Sequence, residues 1–129
     1  MLTEKDYCDY ETCVALKELG YIGQGRLYYA PDKDPNELKH FGIQVLTTRS
    51  AEALNFVLAV HLYDAQKWLR ENKNIQIEIP ISFMDNGVWK FNFRIQTPEF
   101  YDRAIGEWDS YEEALLEGVK SAIKILKEE

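Results

Sequence analysis

The sequence predicts an α+β fold built on one antiparallel sheet with a tight hairpin at 75–96. Two neighbouring segments, 75–83 and 88–96, alternate apolar and polar residues at the period of two that marks a half-buried strand. Two others, at about 51–73 and 110–127, repeat apolar residues at helical spacing and are long enough to cover such a sheet. We therefore expect these two long helices to pack on the sheet, alongside a short N-terminal helix and two N-terminal strands.

Length and composition predict a single domain, 1–129. The chain has 129 residues, of which 46% are hydrophobic and 29% charged, as in a globular protein with one core. Its longest apolar run, 53–63, is shorter than the ~18–20 residues that span a bilayer. The N-terminus lacks the apolar region of a signal peptide, and free thiols at Cys8 and Cys13 suit a reducing compartment. We expect a cytoplasmic protein that does not bind membranes.

The N-terminal part of the chain predicts one short helix and two strands. Asp9 is a candidate N-cap, apolar residues follow at helical spacing, and Gly20 can adopt the left-handed conformation that ends a helix. This pattern indicates a helix within 9–20. Alternating apolar residues at 26–30 and 41–47 favour the two strands.

The candidate ligand-binding motifs in this region lack the residue spacing that a phosphate, calcium or metal site requires. The glycine-rich stretch 20–25 follows a helix and lacks the Gly-x-Gly-x-x-Gly order, so turn glycines explain it. The segment 32–36 opens like a calcium loop, but Ile43 stands where a bidentate carboxylate is needed. Cys8 and Cys13 would point about 140° apart on a helix, which prevents them from sharing a metal.

No residue pattern in the chain reaches the specificity of a catalytic motif. His61 lies in an apolar run, where we expect it to be a packed core or interface residue. The sequence therefore predicts no catalytic residue, no cofactor and no metal site, and we expect a protein that is not an enzyme. An active site assembled by the fold alone remains a third alternative behind two binding functions.

The predicted middle helix, about 51–73 with Ser50 as its N-cap, has a surplus apolar face. The N-terminal segment 1–47 could cover this face. That segment is rich in loops, however, which favours a homodimer through the 51–69 helix. The residues outside the main apolar stripe are Phe56, Val60 and Tyr63.

The predicted hairpin turns at 85–87, Asp-Asn-Gly. A two-residue turn would place Phe83 opposite Lys90 and mix the two faces, whereas a three-residue loop pairs Phe83 with Trp89. We therefore expect a three-residue loop with a G1 bulge and a left-handed Gly87. The predicted inner face of the sheet consists of Ile77, Ile79, Ile81, Trp89, Phe91 and Phe93.

The same register places Glu78 opposite Arg94 on the outer face. A third strand is expected at 100–108. The closing helix then begins with a capping box in which Ser110 is the N-cap and Glu113 is its partner.

Negative charge is concentrated near the C-terminus. The net charge is −7, and the segment 99–117 holds seven carboxylates against Arg103 alone. Such a surface repels a phosphate backbone, so nucleic-acid binding is disfavoured. It is suited to a basic protein partner instead. The candidate partner-binding residues are Glu99, Asp102, Glu107, Asp109, Glu112 and Glu113.

Three stretches of the chain resemble a loose group of small proteins carried by gut anaerobic bacteria, their phages and mobile elements. The stretches are 7–21, with a tyrosine-led helix ending in Lys-Glu-Leu-Gly, 46–79, with Lys-Trp-Leu-Arg-Glu before a strand, and 111–126, which opens Tyr-Glu-Glu-Ala. The resemblance implies no enzymatic activity. We expect a non-enzymatic accessory or protein-interaction factor of phage or mobile-element origin.

A narrower stretch, 106–123, is similar to the strand-to-helix junction of HicB-like antitoxins. Glu107 and Trp108 are additional to that family's Gly-Asp-Thr-x-Glu-Glu-Ala form, and the preceding chain does not follow its opening hairpin. The resemblance implies an alternative function, that of an antitoxin-like regulator which binds a basic protein partner through the 99–117 segment.

Overall fold

The computed structural model describes residues 4–42, 44–99, 101–103 and 106–128. The chain divides into two units, Met1–His61 and Leu62–Glu129. The elements of the first unit are a 3-10 turn (Glu4–Asp6), α1 (Tyr10–Glu18), β1 (Gln24–Gly25), β2 (Leu27–Tyr29), β3 (Lys39–His40), β4 (Leu46–Thr47), α2 (Thr48–Ala53) and β5 (Val57–Leu58). Those of the second are α3 (Leu62–Lys73), β6 (Gln76–Glu78), β7 (Ile81–Asp85), β8 (Val88–Phe91), β9 (Arg94–Gln96), β10 (Tyr101–Arg103) and α4 (Tyr111–Lys127).

The α+β class is confirmed, because every strand pair in the described residues is antiparallel and the helices flank short sheets. The first unit follows the predicted caps of its N-terminal helix. The Thr12 N–H donates to the Asp9 carboxylate over 2.9 Å, and Gly20 follows the helix at φ +102°. These local signals define the start and the end of α1.

The two predicted N-terminal strands are shorter than expected. The segment 26–30 contains β2, whereas only Leu46 and Thr47 of the segment 41–47 form a strand. Ile43 lies outside the described residues. β2 lies between β3 and β5 in one sheet, and β1 pairs with β4 in another.

The prediction of one helix over about 51–73 is wrong. Asn55 takes a left-handed conformation at φ +62°, which ends α2, and the chain then pairs as β5 with β2. Ser50 is not the N-cap either. Thr47 is, and Ser50 completes a capping box from the third helical position. The helix resumes only at Leu62, in the second unit.

The surface that suggested a homodimer is therefore not formed by one helix. Val60 is buried, and its N–H donates to the Cys13 sulfur over 3.3 Å. Phe56 stacks on Tyr28 with ring centroids 4.2 Å apart, so the N-terminal segment covers it. Of the three surplus residues, Tyr63 is the exposed one. The single 51–69 helix expected to form a homodimer interface is thus two helices separated by β5.

The second unit contains the predicted helix-on-sheet packing in shortened form. Its central sheet has the order β10-β9-β6, with Ile77 opposite Ile95 and Glu78 opposite Arg94, as the register predicted. α3 and α4 contact each other and β6, and α4 also contacts β9. Ile77, Phe93 and Ile95 are buried in this core.

The hairpin β7–β8 forms a separate two-stranded sheet, because the ladder is interrupted at Pro80 and Asn92. Proline has no N–H for a continuous ladder. The Asn92 N–H donates to the Pro80 carbonyl over 3.0 Å, and its side chain accepts from the Phe93 N–H over 2.8 Å. Beyond this junction, Ile81 of β7 and Trp89 of β8 are not covered by the core that buries Ile77 and Phe93.

The predicted three-residue loop is wrong. Asp85 pairs with Val88, so Asn86 and Gly87 alone make the turn, at φ +50° and +79°. The ladder then shifts between Ile81 and Phe83. Phe83 therefore pairs with Lys90, and the irregularity restores an apolar pair only beyond it, where Ile81 lies opposite Phe91.

The predicted inner face is correct for Ile77 and Phe93 and wrong for Ile81 and Trp89. Ile81 and Trp89 are 55% and 49% exposed, and Ile79 and Phe91 are half-buried. The predicted strand 100–108 is β10 over Tyr101–Arg103, and residues 100, 104 and 105 lie outside the described residues.

Candidate functional site

The distal hairpin carries an exposed apolar face. Ile81 is paired directly with Phe91, and Met84 with Trp89, so these four residues share one side of the ribbon. Ile81, Met84 and Trp89 are each about half exposed, at 55%, 50% and 49%. The turn and the ladder shift together place these side chains side by side, and the core leaves them open to solvent.

Aromatic contacts extend this face onto the helices of the same unit. The Phe91 N–H donates to the Trp108 carbonyl over 2.9 Å, and the Trp108 N–H donates back over 3.0 Å. The Phe91 ring meets Tyr111 edge-on at 6.3 Å, and Tyr111 lies 6.2 Å from Tyr63, which is 47% exposed. We call the combined surface the hairpin face. It consists of Ile81, Met84, Trp89, Phe91, Tyr111 and Tyr63.

Four of the six predicted partner-binding residues lie within 107–113, around the start of α4. Glu107 and Asp109 flank Trp108, and Asp109 forms an ion pair with Lys90 of β8. Ser110 caps α4 by accepting from the Glu113 N–H over 3.1 Å, as predicted. Glu112 and Glu113 occupy the first turn of α4, where carboxylates also oppose the positive end of the helix dipole.

The other two predicted residues are not brought to this place. Glu99 lines a cavity with Lys73 and Leu126, at the C-terminal ends of α3 and α4. At 1.5 Å per residue, Leu126 lies about 20 Å along the axis of α4 from Glu112. Asp102 belongs to β10, and its side chain lies outside the described part of the chain.

The two thiols are structural. The Cys13 sulfur is buried, donates to the Cys8 carbonyl over 3.6 Å and accepts from the Val60 N–H. Burial raises the pKa of the Cys13 thiol to about 12, outweighing the Val60 hydrogen bond that lowers it. The Tyr29 hydroxyl donates to the same Cys8 carbonyl over 2.7 Å, and burial raises its pKa as well. A thiol that stays protonated is a poor nucleophile and metal ligand.

The remaining chemical candidates do not form a site. His61 is half-buried, and its ring meets Tyr7 edge-on at 5.3 Å, as expected for a packed residue. Across the described residues, no three His, Cys, Asp or Glu side chains are grouped as a metal site would require. The largest cavity described in the first unit, about 580 Å³, is an open groove where the ion pair of Lys17 and Glu52 lies beside Tyr21 and Ile22.

Sequence reasoning missed the hairpin face because it assigned Ile81, Trp89 and Phe91 to the core. Period-two alternation shows which residues share a face, but it does not show whether another element covers that face. Pro80 was the available signal, since a proline inside a strand indicates an edge or an interruption of the ladder.

Comparison with protein families, with characterised proteins and with solved structures returned no match to this chain. In the part of the chain that the structure describes, no helix has both the length and the apolar character needed to cross a bilayer.

Proposed function

We propose that this protein is a non-enzymatic accessory factor that binds another protein through the hairpin face. The observation that carries the proposal is the exposure of Ile81, Met84 and Trp89, each about half open to solvent on one side of a two-stranded ribbon. Soluble proteins rarely expose large apolar side chains in contiguous groups unless a partner covers them. Trp, Tyr and Met are also the residue types enriched at the centres of protein interfaces.

Packing in the core of the second unit does not explain why Ile81, Met84 and Trp89 are apolar. α3 and α4 cover β6 and β9, where Ile77, Phe93 and Ile95 are buried. A two-stranded hairpin by itself is only marginally stable in water. Polar residues on its exposed face would support the hairpin as well as the apolar ones do. Binding of a partner gives a physical reason for the apolar ones.

A second candidate function is that of an antitoxin-like regulator that covers a basic protein through the 99–117 segment. The local charge favours it, since Glu107, Asp109, Glu112 and Glu113 lie near one another at the start of α4. Lys90 already neutralises Asp109, and Glu99 lies at the opposite end of the helix. The acidic surface is thus smaller than the segment's composition suggests.

Two further parts of the proposal rest on the sequence. Free Cys8 and Cys13 support a cytoplasmic location. The resemblance of 7–21, 46–79 and 111–126 to proteins of phages and mobile elements supports a role in such an element.

A displayed random-peptide library, selected against the full chain, tests the proposed function. Selected peptides should lose binding to Trp89→Ser and Met84→Ser. They should keep binding to Ile22→Ser, which removes an apolar side chain that is 83% exposed in the other unit. Selected peptides that bind the two hairpin variants as well as wild type would show that the hairpin face is not the binding surface.

A further inference from the structure

The hairpin face has an acidic border. Asp64 follows Tyr63 in the first turn of α3, and Glu112 follows Tyr111 in the first turn of α4. Between residues 106 and 119 the chain has five carboxylates and neither Lys nor Arg. Every aromatic residue that joins the hairpin to the helices is thus followed or preceded by a carboxylate.

Most of this negative charge is not neutralised inside the unit. The ion pairs of Lys90 with Asp109 and of Lys120 with Glu117 account for two carboxylates. Within the described residues, Asp64, Glu107 and Glu112 form no ion pair. The helix dipoles explain the placement of Asp64 and Glu112, but they do not explain why the Tyr63 side chain lies exposed beside Asp64.

We propose that the hairpin face binds a basic segment of a partner protein, one in which Lys or Arg residues are interspersed with apolar ones. This inference rests on the proposed function and specifies its partner. A guanidinium or ammonium group stacks on Trp or Tyr rings, and Asp64 and Glu112 offer it oxygen acceptors at the edge of the face. The aliphatic stems of the same side chains, and their apolar neighbours, cover Met84 and Ile81.

Charge complementarity also excludes the other polymers that bind to aromatic surfaces. Single-stranded nucleic acids stack bases on aromatic rings, but they require basic residues along the phosphate backbone. The border of the hairpin face has the opposite sign. A basic protein segment can stack on the aromatic rings and also form ion pairs with the carboxylates. Electrostatic attraction then accelerates its association.

The test uses fluorescein-labelled synthetic peptides and the full-length protein, with binding followed by fluorescence anisotropy. The first peptide alternates Arg with Leu, the second replaces every Arg with Glu, and the third keeps Arg but replaces every Leu with Ser. The first should bind, the second should not, and the third should bind more weakly. High ionic strength should weaken binding of the first peptide, since exposed charges are screened.

Matched variants test whether the first peptide binds at the hairpin face. Trp89→Ser and Glu112→Gln should each weaken binding of the first peptide by about fivefold or more, the loss expected for one cation–π or charge-assisted contact. Trp89→Tyr keeps an aromatic ring and should keep most of the affinity. Glu71→Gln removes an exposed carboxylate from α3 outside the border and should have no effect. The fluorescence of Trp68 and Trp108 checks that each variant is folded.

The outcomes separate this inference from the proposed function. If the Glu peptide binds as tightly as the Arg peptide, or if library-selected peptides that need Trp89 carry no excess of Lys and Arg, the basic partner is refuted and the hairpin face remains a binding surface. If sedimentation shows a dimer of the wild type that Trp89→Ser abolishes, a second copy covers the face and the basic partner is again refuted. If selected peptides ignore Trp89→Ser, the proposed function itself fails.

Discussion

Gly118 of α4 lies against the central sheet of the second unit, and adding a single methyl group there should destabilise it. The residue is buried, and a Cβ atom at this position would lie 2.8 Å from the Ile77 Cγ2 atom and 3.4 Å from the Phe93 Cβ atom. Non-bonded carbon atoms prefer separations of about 3.5–4.0 Å. Gly118→Ala therefore requires α4, or the Ile77 side chain, to move by roughly 1 Å.

Two opposing effects determine the size of the change. Forcing an extra carbon into a packed core costs about 1–3 kcal/mol. Replacing Gly by Ala inside a helix contributes about 1 kcal/mol of stability through the helix propensity. The steric effect is the larger, so Gly118→Ala should lower the free energy of unfolding by about 1 kcal/mol.

Urea denaturation followed by tryptophan fluorescence measures this change in the correct unit, because all three tryptophans lie in Leu62–Glu129. Ile77→Leu keeps the side-chain volume and removes the β-branched methyl group that clashes. In that background Gly118→Ala should cost nothing or stabilise by up to about 1 kcal/mol. Ser121→Ala, on the same helix, is the control. If Gly118→Ala stabilises the wild type as much as Ser121→Ala does, the close packing of α4 on β6 is refuted.

Three other predictions concern single residues. Burial raises the pKa of the Cys13 thiol from 9.0 to about 12, so its contribution to stability is complete below pH 9 and is lost as the pH rises towards 12, by about 1.4 kcal/mol per pH unit. In Cys13→Ala, the free energy of unfolding measured by circular dichroism should therefore fall less steeply over this pH range than in the wild type. Equal slopes would contradict the buried thiol. Because the φ angle of Asn55 is +62°, Asn55→Gly should change the free energy of unfolding by no more than about 0.5 kcal/mol, whereas Asn55→Ala should lower it by about 1–2 kcal/mol. If urea titrations show that the Ala variant is more stable than the wild type, the helix continues through this position. Gly87→Val should destabilise the hairpin by about 1–3 kcal/mol, because Gly87 has a φ angle of +79°. No atom lies within 4 Å of the added Cβ, so backbone strain alone causes this effect. Thermal melts followed by tryptophan fluorescence that show no loss of stability would refute the two-residue turn.

Helix ends could be predicted from the sequence because their signals are local. Asp9, Gly20 and Ser110 act where the sequence placed them, since a cap needs only the neighbouring turn. The cap of α2 was placed wrongly because Thr47, Thr48 and Ser50 are all competent, and the choice among them depends on where β4 ends.

The break in the predicted middle helix could not be found in the same way. The run 53–63 is apolar at nearly every position, so it fits a helix buried on several sides and a buried strand equally well. What decides between them is the pairing of β5 with β2, about thirty residues earlier in the chain. Local propensity does not contain that information.

The hairpin shows how two correct arguments can conflict. The Asn86-Gly87 pair is a strong signal for a two-residue turn, but alternation along both strands required a different register. The structure keeps the two-residue turn, with Phe83 opposite Lys90, and the shift between Ile81 and Phe83 then brings Ile81 and Met84 to one face. For the candidate site, Glu107 to Glu113 are neighbours in sequence, whereas the position of Glu99 depends on where β9 ends relative to α4.

Mapping of chemical shifts on the full-length, 15N-labelled protein tests the central claim that the hairpin face is a protein-binding surface. During a titration with a library-selected peptide, the largest amide shifts should lie in β7, β8 and residues 108–113, and the Trp89 indole N–H should move with them. The first unit, including the groove lined by Lys17 and Glu52, should be unaffected. Shifts centred on that groove, or spread evenly over both units, would contradict the account.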